Sequence, residues 1–176
     1  MKKILVVVDM QNDFITGPLG NEQCVSVIPE VVSTIQNGGY DQLILTKDTH
    51  QRDYLQTQEG QKLPIPHCIE GTHGWGIVPE VWEVAKTAVV INKPTFGSTV
   101  LGELLRKYSE NSDESIEIDF CGVCTGICVI SNVMIAKAFV PEAKVCVIEK
   151  ACACVTPQSH QTAIEAMKTC QVNIIK

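Results

Sequence analysis

Phe120-Cys-Gly-Val-Cys-Thr-Gly-Ile-Cys-Val-Ile-Ser-Asn132 is the stretch on which the fold turns. The apolar residues Ile116, Ile118 and Phe120 run into a glycine turn, and a strongly apolar segment of helical character follows. A strand therefore feeds a helix at this point. The first amides of a helix have no partner within it and carry partial positive charge, so a thiol in the first turn ionises more readily than a free one. Cys128 stands there and is the candidate nucleophile, although a cysteine on an apolar helix is more often packing than chemistry. Its partners decide the matter.

On either side of this junction the chain repeats one rhythm. Ile4 to Val8 is a β-branched run of the kind buried on both faces of a sheet. Pro29 opens a helix with Val31, Val32 and Ile35 on one face, closed by Gly38 and Gly39. Leu43 to Leu45 is the second strand, ending at Asp48, and an irregular stretch rich in Gly, Pro, Gln and His runs from Thr49 to Pro79. Loops of such length in a compact domain usually carry function. A short helix from Val78 to Lys86 leads to a third strand, Ala88 to Ile91. Val100, Leu101, Leu104, Leu105 and Tyr108 repeat at helical spacing, followed by a polar loop and a fourth strand, Ile116 to Cys121. The helix from about Cys128 to Val140 is apolar on nearly all sides, so it is expected to be buried, and Pro141 closes it. Lys144 to Ile148 is the fifth strand, Thr156 caps a helix begun by Pro157, and Val172 to Ile175 is the sixth. Strands separated by helices in this order predict an α/β fold: a three-layer, doubly wound sandwich around a six-stranded, mostly parallel sheet, in a single domain over 1–176.

In such a sheet the C-terminal strand ends line one edge, where these folds build their sites. Asp9 follows the first strand and Lys93 the third. A thiol, a carboxylate and an ammonium meeting there divide the work of a cysteine hydrolase: Asp9 takes the proton of Cys128, and Lys93 stabilises negative charge. Asp48, His50 and His67 add one carboxylate and two imidazoles, a set suited to zinc, manganese or iron with positions left for water.

Composition limits the alternatives. With 176 residues, 45% of them hydrophobic, the chain can bury one proper core. A net charge of −6 without a basic cluster argues against nucleic acid and anionic membranes as partners. No apolar run is long enough to span a bilayer, and Asp9 interrupts what might pass for a signal peptide, so a cytoplasmic location is expected. The nine cysteines fall mostly in apolar strand or helix contexts, as reduced, core-filling thiols do. Cys152 and Cys154, two positions apart at a strand end, point the same way, as packing or pocket lining.

Asp-Met-Gln-Asn-Asp-Phe at Asp9 to Phe14, Lys-Pro-Thr-Phe-Gly-Ser at Lys93 to Ser98 and Gly-Val-Cys-Thr-Gly-Ile-Cys-Val at Gly122 to Val129 together resemble the isochorismatase-like cysteine hydrolases, over nearly the whole chain. Lys-Asp-Thr-His at Lys47 to His50 and Pro-His-Cys at Pro66 to Cys68 point within that family to the nicotinamidase branch. The resemblance implies a catalytic triad of Asp9, Lys93 and Cys128 that hydrolyses a small amide through a thioester. It implies a cis peptide before Cys124, an oxyanion hole made by the amides of Cys124 and Cys128, a pocket aromatic at Phe14, and a divalent metal, with zinc first and manganese or iron next, on Asp48, His50 and His67. It also implies assembly into a homo-oligomer.

Some positions depart from the family pattern. Gln56 stands where many metal-bearing relatives have a further histidine, and Pro64 where a tryptophan commonly stacks on nicotinamide. Trp75 or Tyr54 are the other rings available. Within the same class of enzyme, the alternative is a hydrolase of a carbamoyl or ureido compound. From a different class, Cys121, Cys124 and Cys128 have a spacing that an iron–sulfur cluster could use, provided that they converge from a loop.

Overall fold

The apolar runs pair with one another as strands: β1 (Lys2–Val8), β2 (Gln42–Asp48), β3 (Val89–Lys93), β4 (Ile116–Val123), β5 (Lys144–Ala153) and β6 (Asn173–Ile175). In the computed structural model, which describes residues 1–176, they form one sheet in the order β3-β2-β1-β4-β5-β6, and every pairing is parallel. Helices cover both faces, which is the α/β architecture expected. They are α1 (Asn12–Ile15), α2 (Glu22–Ser26), α3 (Ile28–Asn37), α4 (Gln58–Lys62), α5 (Pro79–Val84), α6 (Thr99–Glu110), α7 (Ile130–Phe139) and α8 (Pro157–Thr169).

The core follows from the burial of the central strands. All eight residues of β4 are buried, including Glu117 and Asp119, and so are Ile4 to Val8 of β1. Burying both faces of these strands is the main apolar driving force of the fold. Helix starts are closed by side chains that satisfy free amides: Ser98 accepts from the Leu101 amide, and Thr156 and Ser159 cap α8 reciprocally, as the Thr156-Pro157 sequence predicts.

Three expectations change. Helix α7 is not buried on all sides: Asn132, Val133 and Ala136 face inward, while Ile130 and Met134 are half-buried against the core. Its other flank meets α6, where Gly102 leaves room for Phe139 and Ile135. β5 runs on past Ile148 to Ala153, because its register against β4 shifts between Phe120 and Gly122 and pairing resumes at Cys152. The charged pair Glu149-Lys150, which reads as the strand's end, lies on that shift. Finally, the stretch Thr49 to Pro79 contains a 3-10 turn (Tyr54–Gln56) and α4, and is pinned to the sheet edge by bridges from Gln11 to Ile77 and from His50 to Ile69.

The strand order reverses between β1 and β4, so the crevice beyond their C-terminal ends is the natural place for a site. Gly122 makes that crevice possible. Its φ is +113°, and a Cβ there would lie 2.1 Å from the Val8 carbonyl oxygen on the neighbouring strand. Gly122→Ala is therefore expected to lower unfolding free energy by more than about 2 kcal/mol in a denaturant titration.

Candidate active site

Four strand ends meet at the crevice. Asp9 follows β1 in a left-handed conformation, φ 49°, with its amide donating to the Thr46 carbonyl. Asp48 and Lys93 end β2 and β3 and are register partners across the two strands. Beyond β4 the chain passes a cis peptide between Val123 and Cys124, as the resemblance implies, and enters a π-helical turn, Thr125–Val129, that carries Cys128 into α7. Such turns are frequent at functional sites.

The structure brings Asp9, Lys93 and Cys128 together. The Lys93 ammonium lies 2.6 Å from Asp9 Oδ2 and 3.5 Å from Cys128 Sγ, so it stands between the carboxylate and the thiol. Thr46 Oγ1 donates to the other Asp9 oxygen at 2.6 Å. Neither Lys93 nor Asp9 has any exposed side-chain surface. Charges so enclosed persist only when paired, and removal of one member of such a pair typically costs about 3–5 kcal/mol.

Burial sets the proton positions. It raises Asp9, with Lys93 opposing, so the carboxylate holds a proton more readily than a free one. Burial and the Asp9 carboxylate also push the Cys128 thiol well up, against the pull of Lys93. The helix start therefore does not yield a resting thiolate: full burial beside a carboxylate outweighs the partial charge of one turn. The thiol is thus held protonated beside the carboxylate and the ammonium.

Asp48 links this trio to a second cluster. Its Oδ1 is 3.4 Å from Lys93 Nζ, while its Oδ2 is 2.9 Å from His50 Nε2 and 3.5 Å from His67 Nε2. Although burial opposes it, hydrogen bonds from His50 and His67 hold Asp48 well below the usual carboxylate range. Glu59, on α4, completes the group at 3.6 Å from His50 Nε2 and 3.7 Å from His67 Nε2. One ligand atom from each of Asp48, His50, Glu59 and His67 lies within 4.8 Å of the others. His67 is oriented by its Nδ1, 2.8 Å from the Ile65 carbonyl, which leaves Nε2 for the cluster. Three carboxylates (Asp9, Asp48, Glu59) against one ammonium (Lys93) leave a formal charge of −2 in the crevice. Two imidazoles and two carboxylates around such a deficit fit a divalent cation.

Glu59 and Gln11 escape a reading of the sequence. Glu59 sits in a polar stretch with no periodicity, nine residues after His50, and Gln56, at the position of the further histidine in relatives, is exposed. Gln11 accepts from the Asp48 amide at 2.7 Å and donates to the Asp48 carbonyl at 2.8 Å, clamping the backbone of the shared carboxylate. Its signal was its place in the Asp9-to-Phe14 motif. Phe14 stacks at 5.5 Å from His67, and Tyr54 at 4.7 Å from His50 and 5.0 Å from His67, so Tyr54 lines the cluster. Trp75 is engaged elsewhere: its indole donates to Thr49, and Lys47 lies over its ring.

The cysteines of the iron–sulfur alternative do not converge. Cys121 lies within β4, Cys124 follows the cis peptide at the end of that strand, and the Cys128 sulfur lies in the next turn, 3.5 Å from Lys93 Nζ; no metal-sized group includes them. All nine thiols are free.

The Isochorismatase domain family matches residues 3–176. Among solved structures, a nicotinamidase/pyrazinamidase from Bacillus subtilis superposes with a TM-score of 0.81 at 24% identity, covering 100% of both chains. A pyrazinamidase from Pyrococcus horikoshii in complex with zinc gives 0.79 at 24%, covering 100% of this chain and 99% of that one. A pyrazinamidase/nicotinamidase from Streptococcus mutans gives 0.83 at 21%, covering 99% and 100%. No curated protein matches the sequence. The fold is thus shared with amidases of this kind, and the family match spans the strand ends that build the crevice. The chain belongs to the isochorismatase family of hydrolases.

Proposed function

We propose that the protein is a metal-assisted cysteine amidohydrolase that converts nicotinamide to nicotinate and ammonia. The observation that carries this reading is the double contact of Asp48, one oxygen facing the lysine of the thiol trio and the other facing the imidazoles of the metal-sized cluster. A hydrolase of the family that needed the thiol alone would have no use for the second cluster. The fold shared with amidases of nicotinamide and pyrazinamide supports the choice of substrate.

The residues act as follows. Asp9 accepts the proton of Cys128, and the thiolate forms a bond to the amide carbon. The amides of Cys124 and Cys128 receive the developing oxyanion, a device commonly worth about 3 kcal/mol per donor. Lys93 holds Asp9 in place and offsets the charge that moves between Asp9, the sulfur and the substrate. The proton on Asp9 passes to the leaving nitrogen, ammonia departs, and a thioester remains on Cys128. Asp9 then takes a proton from water, whose oxygen attacks the thioester and releases the acid and the free thiol. Asp48, His50, Glu59 and His67 would hold the divalent ion. Bound there, that ion supplies a Lewis-acidic charge for the substrate's ring nitrogen. Phe14 and Tyr54 present apolar ring faces beside it.

Ammonia release from nicotinamide is expected to fall on chelation and to return when zinc, manganese or iron is added. No turnover with any of the three metals would move the assignment to another small amide, such as a carbamoyl or ureido compound. Cys128→Ala is expected to cut turnover by about 10³-fold or more while its circular dichroism and metal content stay unchanged. Glu59→Gln and His67→Ala should each weaken metal binding at least about tenfold in equilibrium dialysis, and an unchanged stoichiometry at low metal would remove them from the ligand set.

Metal retention should also depend on pH. Burial lowers His67, but the Asp48 carboxylate and the Ile65 carbonyl outweigh it and raise the imidazole above its ordinary value. A proton therefore competes with the metal at higher pH than on a free histidine, so affinity is full above this range and is lost as pH falls through it. A titration of bound metal that stayed flat through the histidine range would contradict this.

A further inference from the structure

One fully buried polar side chain joins the turn of the proposed nucleophile to the loop of the lysine, and the amidase chemistry does not use it. Asn132, one helical turn beyond Cys128 on α7, has no exposed surface. Its Oδ1 accepts from the Ser98 amide at 3.0 Å. Its Nδ2 donates to the Phe96 carbonyl at 3.1 Å and to the Cys128 carbonyl at 2.8 Å. The partners fix which atom is which, because a flipped carboxamide would set its oxygen against two carbonyls and its amino group against an amide. A carboxamide at the centre of a packed domain is costly unless bonded, and every bond of this one runs to backbone of two segments.

Those two segments carry reacting groups. Phe96 and Ser98 belong to the loop 94–98 that follows Lys93, and Lys93 Nζ donates into the same loop, to the Thr95 carbonyl at 3.2 Å. Cys128 lies in the π-helical turn, its sulfur 3.5 Å from Lys93 Nζ. Asn132 is the only side chain that is hydrogen-bonded to the backbone of both. Beside it the loop is pressed against α7: a Cβ at Gly97 would lie 2.6 Å from Ile135 Cδ1 and 3.2 Å from the Ser131 carbonyl oxygen. Asp48 cannot take over this task, since it reaches Lys93 but makes no hydrogen bond to the turn. The ammonium is thus aligned with its strand neighbours by Asp48, and the sulfur is aligned with the ammonium through Asn132.

We propose that Asn132 is a positioning residue, which holds the Cys128 sulfur at its place beside Lys93. It bonds to none of Asp9, Asp48, His50, Glu59 and His67, and acts only through the backbone that it clips together. A reacting atom misplaced by about 1 Å can lose about 10²-fold in rate, so the clip bears on the chemical step rather than on binding. Lys93 favours the charged form of the sulfur, so a sulfur displaced from it should also react more slowly with any small electrophile. The consequence for turnover rests on the amidase reading, whereas the placement of the sulfur beside the ammonium does not.

The test is Asn132→Asp, which keeps the size of the side chain and an acceptor for the Ser98 amide but offers at most one of the two donors. Its kcat on nicotinamide should fall at least about tenfold, while KM and bound metal stay within about twofold of the wild type. Labelling by iodoacetamide without substrate, read peptide by peptide in the mass spectrometer, should slow at Cys128 at least about tenfold relative to the exposed Cys170. Should Asn132→Asp fail to fold, Asn132→Ala leaves room for water at the freed backbone groups and must show the same two changes. Unchanged labelling of Cys128 in a folded variant overturns the proposal, and so does turnover lost wholly through a raised KM or a lost metal. If the wild type releases no ammonia from nicotinamide, the choice of substrate fails, and the labelling comparison still decides the role of Asn132.

Discussion

Asp48 is the residue on which the crevice depends. One of its oxygens faces the only ammonium of the site, the other faces two imidazoles, and Gln11 grips its backbone from both sides. A buried carboxylate with so many donors cannot swing without leaving a charge unpaired, which makes it a rigid joint between the thiol trio and the metal-sized cluster. The shared carboxylate and the lysine are thereby held by two adjacent strands in register rather than by a loop.

The same arrangement explains why charged residues end so many strands. Asp9 and Asp48 stop apolar runs that are largely buried, Lys93 ends the edge strand β3 with its own side chain fully buried, and each charge would be costly alone. Together they neutralise one another in part, and the remaining negative charge is what a divalent ion can match. The thiol is handled differently. Burial and the Asp9 carboxylate hold it protonated, against the pull of Lys93.

Much of this was legible because strand ends are readable. Asp9 and Lys93 each stand where an apolar run stops, Cys128 stands in the turn that follows another, and a parallel sheet gathers those strand ends along one edge. His50 and His67 could be named from motifs, but Glu59 could not, because a polar segment without period gives no clue to which side chain turns inward. The extension of β5 was hidden for a related reason: Glu149 and Lys150 read as a strand end, while the shift of register carries them past β4 and pairing resumes at Cys152. The state of the Cys128 thiol was misread as well, since a helix-start argument counts the dipole and cannot count burial before the fold is known.

The central claim is that one carboxylate serves both halves of the site, and Asp48→Asn tests it most directly. Bound metal and ammonia release from nicotinamide would be measured on the same preparation of the variant. The account predicts that both are lost together, while the unfolding transition shows the chain still folded. A variant that loses its metal yet turns nicotinamide over at the wild-type rate would contradict it.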